Sequence, residues 1–160
     1  PRVHILNPGT GVGGHCIAVD PWFIVSEFPK ESSLIKKSRE TNNYKTNWVL
    51  EKIKNEALVF KANKSKDPVI ACMGLAFKPD IDDLRESPAL FVAESLEKQG
   101  FNVLAVEPNL SENKDRKLTN YNHAVNQADI IVYLVAHNEF NNLEIDSKKI
   151  VLDFCGVLKK

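Results

Sequence analysis

Residues 68–106 read PVIACMGLAFKPDIDDLRESPALFVAESLEKQGFNVLAV, and this stretch decides the fold. The apolar run at 69–73 predicts a buried strand, and the loop after it leads into a helix with clear end signals. Ser87 can cap this helix, Pro88 occupies its first turn, and Gly100 ends it before a second apolar run begins. The order strand, helix, strand predicts parallel strands in an α/β fold.

The same alternation continues to the end of the chain. Further elements are expected as strands at 103–106, 130–135 and 150–154 and a short helix at 123–128. The strands are rich in β-branched residues, which is typical of a parallel sheet buried on both faces. Such sheets bind ligands at the carboxyl ends of their strands, so the loops of interest are 74–88, 107–110 and 136–140.

Composition excludes several classes of function. The 160 residues are about the size of one domain, and 43% are hydrophobic, enough to bury a core. The 21 basic and 21 acidic residues cancel, so we expect neither nucleic acid nor a membrane as partner. There is no apolar run near the ~20 residues that cross a bilayer. Three cysteines are too few for a disulfide framework, which favours a cytoplasmic location.

The first 62 residues have a different organisation. Residues 1–30 hold four of the seven glycines and four of the eight prolines, which is typical of a functional loop. From about Ser32 to Ala62, apolar residues recur at helical spacing without glycine or proline. A helix of ~30 residues is ~45 Å long, so we expect part of it to pack on another domain or subunit. The chain opens on Pro1 without a methionine, and we expect it to be a piece of something longer.

The segment GTGVGG at 9–14 formally satisfies the dinucleotide pattern G-x-G-x-x-G. Its context argues against that interpretation, because the required helix should begin within the segment, whereas Pro21 sets a later helix start. Alternatively, the glycines let backbone amides approach a bound group closely, with Cys16 presented at the end of the loop.

Cys16 is the most suggestive single residue. A cysteine ahead of a helix start and beside His15 is a candidate nucleophile, because both neighbours favour the thiolate. The competing interpretation is a buried, inert cysteine. Asp20 before a proline is an ordinary helix N-cap, and His4, His15, Cys16 and Asp20 show no established metal-ligand spacing, so no metal is expected.

The loop at 74–88 carries the second group of charged residues. Lys78 and Arg85 are suited to phosphate oxygens, and Arg85 stands close to a helix N-terminus. The alternative is that the three aspartates of the loop pair with these cations on the surface. With one glycine and no G-K-[ST], this is not a P-loop.

The two motifs, about 60 residues apart, together resemble the UDP-glucose/GDP-mannose dehydrogenase family. The resemblance rests on PGTGVGGHCIAVDP at 8–21, on GLAFKP at 74–79 and on DDLRESP at 82–88. It spans this chain and the latter part of a family member. It implies a Rossmann-like parallel sheet that binds a UDP-sugar at 68–160, preceded at 1–62 by a catalytic-cysteine loop and a central helix that builds a homodimer.

The resemblance also implies a chemistry. Family members oxidise C6 of the sugar twice, from alcohol to acid, with NAD as hydride acceptor. By position, Cys16 would form the thiohemiacetal and then the thioester, and Asp20 would orient or activate water. Within this resemblance, the sequence GHCIAVDPWF at 14–23 implies UDP-N-acetyl-D-mannosamine as substrate, for surface polysaccharide synthesis. UDP-glucose or UDP-N-acetylglucosamine are alternatives.

Binding roles follow from the same resemblance. The implied substrate contacts are Arg2, Gly11, Gly13, Phe77 and Lys78, and the implied contact with the NAD pyrophosphate is Arg85. The family's amino-terminal NAD domain is absent from this sequence, so the chain alone is expected to be inactive. Two rival functions are a nucleotide-binding module without catalysis and a cysteine hydrolase that uses Cys16 with His15 or His4.

Overall fold

A parallel four-stranded sheet forms the centre of the molecule in a computed structural model, which describes residues 6–110 and 117–159. The elements are α1 (Asp20–Glu27), α2 (Ser33–Lys64), β1 (Val69–Met73), α3 (Pro88–Lys98), β2 (Asn102–Val106), α4 (Tyr121–Gln127), β3 (Ile130–Tyr133) and β4 (Ile150–Asp153), with short 3-10 helices at Asn138–Phe140 and Val157–Lys159. The strand order is β2-β1-β3-β4, and every pairing is parallel. The predicted α/β fold with a parallel sheet is confirmed.

The two faces of the sheet carry separate cores because side chains alternate along each strand. Ile70 and Cys72 of β1 pack with the middle of α2 and with α3. Ala71 and Met73 face the opposite side, where they pack with α4 and with Phe140. Both faces are therefore covered, as the apolar strands predicted.

Helix α3 has the ends that the sequence predicted. The Ser87 hydroxyl accepts a hydrogen bond from the Leu90 amide at 3.2 Å. Gly100, just beyond the helix, has a φ of +83°, a conformation that costs glycine little. These caps fix where the loop before the helix ends.

Helix α2 has 32 residues, two more at its carboxyl end than the pattern predicted. Its buried residues all lie between Thr46 and Ala57, while Leu34 is 78% exposed and Leu58 is 58% exposed. None of the described helices is long and apolar enough to cross a membrane.

The predicted cap of α1 and the predicted end of β3 differ from the structure. Val19, not Asp20, occupies the N-cap position of α1, and no side chain caps that helix. Asp20 lies in the first turn, where its charge faces the positive end of the helix dipole. Strand β3 ends at Tyr133, two residues early, because the Leu134 and Val135 amides both bond back to the Met73 carbonyl.

Candidate functional site

The glycine loop (residues 8–16) packs against the β1–α3 loop (residues 74–87). The Gly14 amide donates to the Arg85 carbonyl at 3.2 Å. Gly14 has a φ of +88°, and a Cβ at this position would lie 3.0 Å from the Phe77 ring. The two motifs, far apart in sequence, therefore contact each other at Gly14, two residues before Cys16.

Helix α2 holds the glycine loop from the other side. Asn42 bonds both backbone groups of Val12, accepting from its amide at 2.7 Å and donating to its carbonyl at 3.1 Å. One turn further along, the Thr46 hydroxyl donates to the Thr10 carbonyl at 3.2 Å. The Thr10 hydroxyl donates to the Leu134 carbonyl at 2.8 Å and so ties the loop to the end of β3.

Two glycines of this loop are required by packing. A Cβ at Gly11 would lie 2.6 Å from the Thr46 hydroxyl oxygen, and one at Gly13 would collide with the Glu86 carbonyl. The glycines therefore let the loop lie between α2 and the β1–α3 loop. Their implied contact with substrate stays a prediction.

Cys16 is exposed, in a turn that precedes α1. Its carbonyl accepts from the Asp20 amide at 2.8 Å, and Asp20 is also exposed. Cys16 is therefore not buried, contrary to one of its two interpretations, and its reactivity stays a prediction, whereas Cys72 is fully buried in the core.

Arg85 and Asp83 form a two-pronged ion pair at the edge of the site. The guanidinium Nη2 lies 2.6 Å from one carboxylate oxygen, and Nε lies 3.0 Å from both. Hydrogen bonds from the Arg85 side chain and backbone lower the pKa of Asp83 to about 2. The pKa of Arg85 is raised chiefly by the bond with Asp83, with a smaller contribution from the charge of Cys16.

Both candidate cations remain available to a ligand. The Arg85 side chain is 62% exposed despite its ion pair, and Lys78 is exposed, with its ammonium 5.9 Å from the Phe77 ring centroid. The ion pair between a cation and an aspartate of the loop, expected as the alternative, is thus found between Arg85 and Asp83, but it leaves the Arg85 side chain exposed to solvent.

A buried polar network lies beneath the β1–α3 loop. The Glu107 carboxylate accepts from the Leu75 amide at 2.7 Å and from the Ala76 amide at 2.8 Å. His137 Nε2 lies 3.0 Å from the same carboxylate oxygen, and both side chains are completely buried. This network fixes the backbone that presents Phe77 and Lys78.

Side chains that could bind a metal lie together at a position away from Cys16 and its neighbours. Among the described residues, Asp80, His137 and Glu139 bring ligand atoms within 4.8 Å of one another. Both ring nitrogens of His137 are already engaged, since Nδ1 accepts from the Asp80 amide at 3.0 Å and Nε2 faces Glu107. His4 and Arg2 lie outside the described residues.

The described residues do not fit NAD. The glycine loop leads into turns, and α1 begins only at Asp20, so it forms no dinucleotide turn. The turn after β1 lies where dinucleotide-binding folds hold a phosphate, but its Leu75 and Ala76 amides are already bonded to Glu107. Arg85 remains as a group that can meet a phosphate from outside.

Sequence reasoning missed the residues that hold the two loops. Arg39, Asn42 and Thr46 stand three and four residues apart, so they share one face of α2, and that polar stripe was a usable signal. Glu107 and His137 lie in two loops that the strand ends had marked, although neither residue was singled out.

A cleft of about 470 Å³ lies between α2 and the start of α3. Its polar lining includes Arg39, Asn42, Asn47 and Glu94. This α2–α3 cleft also borders Val12 of the glycine loop and is a second concave surface close to the contact between the loops.

Known proteins resemble the chain along its length. The UDP binding domain of the UDP-glucose/GDP-mannose dehydrogenase family matches residues 71–160, and the central domain of that family matches residues 1–44. The UDP-N-acetyl-D-mannosamine dehydrogenase of Campylobacter jejuni is 48% identical over 97% of this chain and 38% of that protein. The NDP-N-acetyl-D-galactosaminuronic acid dehydrogenase of Ralstonia nicotianae is 46% identical over 98% of this chain and 38% of that protein.

A solved structure of a UDP-D-ManNAc dehydrogenase from Pyrococcus horikoshii has a TM-score of 0.78 at 33% identity, covering 98% of this chain and 38% of the other. The chain spans about two fifths of the length of these relatives. One domain of the family matches more than half of it. The chain belongs to the UDP-glucose/GDP-mannose dehydrogenase family.

Proposed function

We propose that this chain is the carboxyl-terminal part of an NAD-dependent UDP-N-acetyl-D-mannosamine 6-dehydrogenase that serves surface polysaccharide synthesis. The observation that carries the proposal is the contact at Gly14, where the glycine loop meets the Phe77 ring and the Arg85 carbonyl. This contact puts the exposed Cys16 beside the loop that follows β1, where α/β sheets bind ligands. In this proposal residues 1–62 supply the cysteine and the central helix, and residues 68–160 bind the UDP-sugar.

The proposed chemistry oxidises C6 of the sugar in two steps. Removal of a hydride and a proton from the alcohol gives an aldehyde, and the Cys16 thiolate then adds to its carbon to give a tetrahedral thiohemiacetal. Loss of a second hydride from that carbon, together with the proton of its hydroxyl group, gives a thioester. Water attacks the thioester, the carbon–sulfur bond breaks, and the acid leaves with the thiolate regenerated. Asp20, one turn along, orients or activates that water.

The remaining groups bind the substrate. Phe77 and Lys78 contact the UDP-sugar, Gly11 and Gly13 lie along it, and Arg2 approaches the nucleotide. NAD would supply the hydride acceptor, and we propose that it would be held by a part of the protein outside the described residues, with Arg85 reaching its pyrophosphate.

We also propose a homodimer through α2. The amino-terminal half of this helix has exposed apolar residues, among them Leu34 at 78% and Tyr44 at 69% exposure. A second copy of the helix would cover such a face. A nucleophilic thiol also suits a reducing compartment, so we place the protein in the cytoplasm.

The choice of sugar rests on the relatives. The Campylobacter jejuni and Ralstonia nicotianae proteins are named for N-acetylated amino sugars at 48% and 46% identity. This supports an N-acetylamino sugar, and N-acetylmannosamine is our choice. UDP-glucose and UDP-N-acetylglucosamine are the alternatives to be compared in the same assay.

Replacing the proposed nucleophile tests the chemistry. In the complete protein, Cys16→Ser should abolish formation of the uronic acid, because an alkoxide leaves an ester far less readily than a thiolate leaves a thioester. Mass spectrometry of the sugar nucleotide measures the acid directly, and Cys155→Ser, which changes a cysteine distant in sequence, is the matched control.

Acid formation at the native rate in Cys16→Ser would refute the role of the cysteine. A complete native protein that binds UDP but oxidises no sugar would instead identify a nucleotide-binding module. Sequencing the DNA upstream of Pro1 establishes whether the complete protein carries an amino-terminal domain.

A further inference from the structure

The turn at the carboxyl end of β1 occupies the place where dinucleotide-binding folds hold a ligand phosphate. In those folds the turn's backbone amides point at the phosphate and donate hydrogen bonds to it. Here the chain reverses at Gly74, which has a φ of +89°, and the next two amides point inward to the Glu107 carboxylate. A side chain of the protein therefore fills the position of the ligand anion.

Glu107 reaches this turn because of the strand order. Strand β2 lies next to β1, and Glu107 follows β2 directly, so its side chain meets the end of β1. One carboxylate oxygen accepts from Leu75, Ala76 and His137, and the other accepts from the Asn109 amide at 3.1 Å. Four donors thus surround a completely buried carboxylate.

The ionised form of this carboxylate is the stable one. Burial alone raises the pKa of Glu107, but hydrogen bonds from His137 and Leu75 outweigh it and bring the pKa below its usual value. His137 Nδ1 accepts from the Asp80 amide at 3.0 Å and is 2.9 Å from the Asn109 side-chain nitrogen. The His137 proton is therefore assigned to Nε2, which donates to Glu107.

Two further backbone groups of the turn are also engaged. The Leu75 carbonyl accepts from the Ser87 hydroxyl at 2.6 Å, and the Phe77 amide donates to the Asp83 carbonyl at 3.1 Å. The groups that the turn offers outward are thus side chains, Phe77 and Lys78. A ligand anion therefore contacts those side chains, because the amides of Leu75 and Ala76 beneath them are already bonded to Glu107.

We propose that Glu107 is a specificity-determining residue of the nucleotide-sugar site. Its carboxylate occupies the phosphate position at the end of β1, so this sheet binds no dinucleotide there, and the diphosphate of the UDP-sugar is left to Lys78. The statement about the diphosphate rests on the proposed function. The inference that Glu107 occupies the phosphate position rests on Glu107 and its four donors alone.

The test uses the ¹⁵N-labelled 160-residue chain and inorganic pyrophosphate. In the native chain, pyrophosphate and UDP should leave the amide signals of Leu75 and Ala76 in place. In Glu107→Ala the four donors face an emptied position, and pyrophosphate should shift both signals with an affinity at least tenfold above the native chain. Glu107→Gln still fills the position and should gain nothing, while Glu144→Ala controls for the loss of an exposed carboxylate.

Pyrophosphate shifts at Leu75 and Ala76 in the native chain would overturn the proposal, and so would a folded Glu107→Ala chain without increased affinity. If that variant does not fold, the native chain decides by itself. A failure of the proposed function has a different signature, because UDP would then leave Phe77 and Lys78 unshifted while the pyrophosphate result still decides the role of Glu107.

Discussion

Gly13 shows how closely the two motifs are packed. A Cβ at this position would collide with the Glu86 carbonyl and lie 2.7 Å from the Pro88 ring. Backbone atoms cannot yield as the end of a flexible side chain can, so either the glycine loop or the start of α3 would have to move. Gly9, four residues earlier, has no atom within 4 Å of a Cβ built on it.

We therefore expect Gly13→Ala to lower the free energy of unfolding by about 1 to 3 kcal/mol, as overpacking does. Gly9→Ala, the matched control, should change it by less than about 1 kcal/mol. Urea denaturation of both variants measures the difference. Equal stability of the two variants would mean that the glycine loop does not lie against Glu86.

Single residues were predicted from the sequence where the cause is local. Ser87 and Gly100 mark the ends of α3 through bonds to their own neighbours, and both were predicted correctly. Glu107 bonds to amides more than 30 residues away, so no local pattern could assign it that role. The exposure of Cys16 likewise depends on the packing of the whole glycine loop.

Helix α2 combines two sequence patterns on one helix. Its middle buries Val49 and Ile53 in the core, which the apolar spacing predicted. One to two turns earlier, Asn42 and Thr46 hold the backbone of the glycine loop. The spacing of this polar pair indicates a shared face of the helix, but the sequence pattern does not show which loop lies against that face.

Asn42→Ala tests this support. The substitution removes both hydrogen bonds to Val12, and we expect a loss of about 1 to 3 kcal/mol in the free energy of unfolding, because partly buried backbone groups lose their partner. Hydrogen exchange of the Val12 amide should accelerate at least tenfold. Asn55→Ala, an exposed position on the same helix, provides the control. Unchanged exchange at Val12 would show that the loop holds its shape without Asn42.

The fold assembles one candidate site from two segments that are far apart in the sequence. Parallel strands place the loops after β1, β2 and β3 at the same edge of the sheet, where the β1–α3 loop, Glu107 and His137 meet. The glycine loop joins them through Gly14. The sequence predicted the sheet and both motifs, whereas the contact between the motifs follows from α2, which returns the chain to the sheet.

Titration of the ¹⁵N-labelled chain with UDP-N-acetyl-D-mannosamine tests most directly whether the two motifs form one site. We expect the amide signals of His15 and Cys16 to shift together with those of Phe77 and Lys78, all with a single dissociation constant. Shifts confined to one of the two loops, or to the α2–α3 cleft, would contradict this account.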